Sequence, residues 1–89
     1  MAGARYLLPA RVTLGDAAAV RAQALAELRA ASPTGPWEVD AGALSTFDSS
    51  CLALLLELRR AAADVRLRAA PTRLAQLARA YGVEFVVDG

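Results

Sequence analysis

The sequence predicts an α/β fold, a small sheet of about four mostly parallel strands with helices mainly on one face, in the order β-α-β-α-β-α-β. Three observations predict it. Four short segments alternate between apolar and polar residues, and three segments between them carry apolar residues at helical spacing. Strands separated by helices are most simply parallel, with right-handed crossovers. The alternation also identifies wet faces, because strands covered on both sides read as unbroken Val, Ile and Leu.

Each element can be justified in order. In the first strand, Val12 and Leu14 alternate with Arg11 and Thr13. Asp16 is placed to cap a first helix running to about Ala31, with Val20, Ala24, Leu28 and Ala31 as its stripe. Two prolines and a glycine in SPTGP, residues 32–36, end that helix and form the one long loop. Trp37, Val39 and Ala41 then alternate with Glu38 and Asp40. A second helix begins near Ser49. The third strand sets Val65, Leu67 and Ala69 against Arg66 and Arg68. Pro71-Thr72 opens the third helix, with Leu74, Leu77, Ala78 and Tyr81 on one face, and Gly82 sits where a left-handed cap ends helices. A last strand over residues 83–87 keeps Val83, Phe85 and Val87 on one face, although Val86 blurs the alternation.

Length and composition narrow the function. With 89 residues the chain reads as a single domain over 1–89, long enough for a modest core and short for an enzyme that encloses a deep pocket. Ten basic residues, all arginine, face nine acidic ones, for a net charge of +1 spread along the chain. That is no footprint for nucleic acid or anionic lipid. A lone Cys51 and the absence of histidine argue against a disulfide or a metal site and suit a reducing compartment. No segment is greasy enough for a signal peptide or a membrane span, so the expectation is a cytoplasmic protein without direct membrane insertion.

The second helix is unlike the others. Cys51, Leu54, Leu55, Leu58 and Ala62 form a stripe for the sheet, but Leu52, Leu56 and Ala63 carry the apolar surface past it. Two readings of the surplus stand side by side: Leu52 and Leu56 pack on a neighbouring helix, or they meet another protein, with Ser49 at the same edge and Arg59 and Arg60 at the border. Ahead of this helix stand Thr46, Asp48, Ser49 and Ser50. Capping accounts for one of them, contributing about 1 kcal/mol. The set as a whole lies at the C-terminal end of a strand, where α/β sheets place binding loops. A phosphate on Ser49 would gain from the helix N-terminus and suffer beside Asp48, which suits a switch.

Asp48-Ser49-Ser50-Cys51-Leu52 resembles the Asp-Ser-Ser-Gly-Leu signature of STAS domains, shared by anti-sigma-factor antagonists and sulfate-transporter C-terminal domains. The stretch from Pro71 to Val83, with Leu-Ala-Arg-Ala-Tyr near its end, is similar to the third helix of the MlaB-like branch. That resemblance implies a cytoplasmic subunit, peripheral to the inner membrane through its partners. Those are the MlaF-like ATPase and MlaE-like permease of an ABC transporter that moves phospholipid and maintains outer-membrane lipid asymmetry. It places Ser49 in or near the contact with the ATPase, and the loop ahead of the second helix and the surplus of its apolar arc add Thr46, Asp48, Ser50, Leu52, Leu56, Arg59 and Arg60 to the expected partner contact. Resemblance to the antagonist branch implies instead a phospho-acceptor at Ser49. The same apolar arc suits a homodimer equally well. Cys51 departs from the signature's glycine, and the chain starts late, leaving little room for the extra N-terminal strand of many members.

An enzyme is the least favoured class, since Ser49 has no visible general base except Asp48. No cofactor is expected, because the chain has no lysine and no Gly-rich loop with which to build a P-loop.

Overall fold

The structure, a computed structural model, describes residues 4–87. Its strands are β1 (Ala4–Leu7), β2 (Arg11–Val12), β3 (Trp37–Asp40), β4 (Thr46–Phe47) and β5 (Val65–Arg68). Its α-helices are α1 (Ala17–Ala31), α2 (Ser49–Ala61) and α3 (Thr72–Ala80), followed by a 3₁₀ turn at Glu84–Val86. Every ladder is parallel: β1-β3-β5 form one sheet, and β2 pairs with β4 in a second.

Period two sorts the larger sheet into a dry face and a wet one. Ala4, Tyr6, Trp37, Val39 and Leu67 are buried. On the other face, Arg5 pairs with Glu38 and Asp40, and Arg68 with Glu38, so the wet side is a charge ladder across all three strands. Val20, Ala24 and Leu28 of α1, five residues of α2, and Leu74 and Ala78 of α3 are buried in the core. Each buried leucine contributes roughly 1.5–3 kcal/mol. Trp37, at 1 % exposure, donates its indole N–H to the Ser32 carbonyl at 2.7 Å, which ties the 32–36 loop to the core without leaving a buried donor unpaired.

Several expectations need correcting. An N-terminal strand does exist, and β1 alternates as Ala4, Tyr6 and Leu8 inside against Arg5 and Leu7 outside. The strand expected at residues 11–14 stops at Val12, and Leu14 is 79 % exposed in the turn that follows. Residues 83–87 form no strand. Gly82 (φ 73°) donates to the Arg79 carbonyl and Val83 to that of Ala78, the paired bonds of a Schellman cap, which turn the chain back toward α2 and α3. Val86, the residue that spoiled the alternation, is then the buried one. Finally, the core faces expected for Ala31, Ala69 and Tyr81 are exposed; β5 ends at Arg68, and Ala69 follows it with a positive φ of 56°.

Asp16 stands at the N-cap position of α1, but its carboxylate does not cap that helix. It turns back to accept from the Thr13 N–H at 3.1 Å, the Thr13 hydroxyl at 2.8 Å and Arg11 Nε at 3.2 Å. The aspartate therefore closes the β2–α1 turn rather than the helix.

Candidate functional site

Parallel pairing of β2 with β4 decides what lies beside the start of α2. Arg11 is in register with Thr46 and Val12 with Phe47, so the two chains leave the ladder at the same end. The turn after β2 therefore meets the turn after β4. Asp48, in extended conformation at the N-cap of α2, joins them: Oδ1 accepts the Ser50 N–H at 2.8 Å and Oδ2 the Leu14 N–H at 3.1 Å. The Ser50 N–H bond is the largest influence holding this carboxyl below its ordinary value, with the Leu14 bond assisting and partial desolvation opposing. Asp48 is thus a charged clamp at neutral pH.

Around the clamp the side chains divide in two. Asp48 and Ser50 are half-buried, whereas Thr46 and Ser49 are exposed. On one flank, a groove of about 280 Å³ between α1 and α2 is bordered by Leu14, Ala18, Arg21, Ala53 and Glu57. A second groove, of about 520 Å³, lies between the start of α2 and α3, bordered by Phe47, Ser49, Arg73, Gln76, Leu77 and Tyr81. Arg73 lies over the Phe47 ring at 5.2 Å, and Tyr81 is 61 % exposed. Ser49 therefore crowns a ridge with an exposed apolar side chain on either side.

Of the residues assigned from the sequence, Thr46, Asp48, Ser49 and Ser50 come together here. Leu52 does not join them as an anchor. At 3 % exposure it is buried within its own chain, and α1 and the C-terminal turn both pack on α2. Leu56 is half-buried against the core. Arg59 is likewise employed within the chain: its guanidinium donates to the Val65 carbonyl at 3.2 Å and lies 5.4 Å from the Phe85 ring centroid. Ten residues of helix place it about 15 Å along α2 from Ser49. Arg60 beside it is exposed. A rim drawn from Ser49 to Arg60 is thus not one compact patch.

Leu14, Arg73 and Tyr81 were missed as site residues. The alternation at 11–14 marks Leu14 as a strand residue and the helical spacing marks Tyr81 as core, and only the tertiary fold shows both in solvent. Arg73 carries no signal in the sequence, since its place depends on how α3 docks beside Phe47.

Cys51, immediately inside the helix, is fully buried, and burial pushes its thiol up to about 11. It is packing where the signature has glycine, not a nucleophile. The described residues include no cluster of side chains arranged to hold a metal ion and no helix long and apolar enough to cross a membrane.

A family model described as "Mlab, STAS domain" matches residues 8–88. No curated protein matches the chain, and no solved structure does.

Proposed function

The chain belongs to the Mlab STAS-domain family, and we propose that it is a non-catalytic subunit of an MlaFEDB-like ABC transporter for phospholipid. In this reading it binds and regulates or stabilises the MlaF-like ATPase, on the cytoplasmic side of the membrane that holds the MlaE-like permease. The observation that carries the proposal is the ridge at the start of α2. Ser49 is exposed on a frame pinned by Asp48, and Leu14 and Tyr81 offer apolar area on its two sides. A polar centre with apolar neighbours on a rigid support is the anatomy of a protein contact. Active-site chemistry finds less support, because Asp48 is committed to two backbone N–H groups and is not free to serve as a base for Ser49.

The purified transporter ATPase from the same genome provides the test, with affinity measured for the wild-type chain and for Ser49→Trp. Exposed Ser49 tolerates the larger side chain in the free protein, so thermal midpoints should agree while binding falls by about tenfold or more. Full binding by the variant would remove the α2 start from the contact.

A second reading keeps its place because the Ser49 hydroxyl is exposed beside a helix N-terminus. In that reading the chain is an anti-sigma-factor antagonist, and phosphorylation of Ser49 weakens its complex. The intact mass of the protein purified from native cells decides between the two. An added phosphate at Ser49 together with a co-purifying serine kinase favours the switch, and an unmodified chain with the ATPase favours the transporter.

A further inference from the structure

The sheet β1-β3-β5 ends on β5, which pairs with β3 alone among the described residues. Its ladder fixes which backbone groups are left over. Trp37 donates its N–H to the Asp64 carbonyl and Ala41 to that of Arg68, each at 2.8 Å, so the even-numbered positions from 64 to 68 turn their backbone toward β3. Val65 and Leu67 therefore turn theirs outward, along the open edge. Edges of this kind are templates for a further strand.

One side chain closes the start of that edge. Arg59, in the last turn of α2, donates to the outward Val65 carbonyl at 3.2 Å, and its guanidinium carbon lies 5.4 Å from the centroid of the Phe85 ring. Stacking on the ring holds the flat guanidinium in place. Phe85 belongs to the C-terminal turn, which packs on α2 and α3 and is anchored by buried Val86. After α3 the chain thus brings an aromatic side chain to Arg59 and not a strand to the edge. Other charges nearby are a weaker barrier, because Arg66 and Arg68 stand on the wet face with Asp64 and Glu38 within ion-pairing distance.

We propose that Arg59, held by Phe85, is an edge guard: by occupying the Val65 carbonyl it prevents β5 from pairing with a strand of a second copy of this chain. An added strand bonds to alternate residues of the edge, and in a strand of four residues only Val65 and Leu67 face outward. Engaging one of the two leaves too little ladder for a stable pair. The proposal is independent of the partner contact at Ser49.

The experiment compares the full wild-type chain with Arg59→Met and Phe85→Leu. Methionine keeps an apolar stem without a donor, and leucine keeps apolar bulk without the ring face. Mass is measured by light scattering over a concentration series, thermal midpoints report folding, and amide exchange is followed residue by residue by NMR. Expected are a rise to at least dimer mass in Arg59→Met at concentrations where the wild-type mass is constant, a smaller rise in Phe85→Leu, and slowed exchange of the Leu67 N–H in the associated variants. If Arg59→Met does not fold, the mass of Phe85→Leu decides. Folded variants that keep the wild-type mass would overturn the proposal and leave Arg59 a stabilising contact only. So would association in which the Leu67 N–H exchanges as in the wild type, since another surface would then be responsible. Wild-type self-association that already protects this amide would show that the edge is not guarded.

Discussion

The Asp48 carboxylate accepts the backbone N–H of Leu14 at 3.1 Å, joining positions 34 residues apart. One side chain thereby caps α2 and fixes the turn that leads into α1. Such a bond couples the placement of exposed Leu14 to that of Ser49, since the turn after β2 and the start of α2 are held by one aspartate.

Removing that aspartate should change how stability depends on pH. Its carboxyl lies below the ordinary value of 3.8 in the folded protein, chiefly because the Ser50 N–H donates to it. Between the unfolded value and the lower folded one, the unfolded chain binds more protons. The contribution of Asp48 is therefore fully present above the unfolded value and is lost as pH falls through the folded one. Asp16, held down mainly by the Thr13 hydroxyl, and Asp40, held down mainly by the Gly42 N–H, act in the same direction. Urea midpoints recorded from neutral pH into this acid window should fall less steeply in Asp48→Ala than in the wild type. Superimposable slopes would mean that the clamp is not a titrating element.

Leu52 and Leu56 should separate cleanly. Leu52 is 3 % exposed and Leu56 half-buried, so Leu52→Ala is expected to cost about 2–5 kcal/mol of folding stability and Leu56→Ala less than about 2 kcal/mol. Chemical denaturation of the two variants measures the difference. Equal costs would contradict the burial that separates these neighbours on α2.

Cys51 should resist modification. With the side chain fully buried and the thiol pushed up to about 11, little thiolate exists near neutral pH and none is accessible in the folded state. Labelling with iodoacetamide at pH 8 should proceed only as fast as the protein opens, and should accelerate sharply in urea. Rapid labelling of the native protein would place the thiol in solvent.

How much was legible in the sequence varies by element. β3, β5 and the three helices show in the pattern because each buries one face, and burial writes its period directly into the residues. The alternation of β1 was there too, in Ala4, Tyr6 and Leu8, but adjacent Leu7 and Leu8 disguised it as a short apolar run. β2 and β4 are two residues each, too short for any period to register. Residues 83–87 carry a strand's alternation, and local bonding at Gly82 overrode it by turning the chain through a Schellman cap.

By itself, the sequence determined the α/β class, the helix start at Asp48-Ser49-Ser50 and the family to which the chain belongs, since period, capping chemistry and motif are all local properties. Tertiary structure alone decided that Leu52 is core and that Leu14 and Tyr81 are surface. It also brought Arg73 of α3 onto Phe47, beside a serine 24 positions away in the chain. The reason is physical: an apolar arc on a helix records that something covers it, but whether that cover is the same chain or another depends on packing between elements distant in sequence. Here Leu52 of that arc is buried within the chain, α1 and the C-terminal turn both pack on α2, and the exposed surface passed to residues whose local patterns pointed inward.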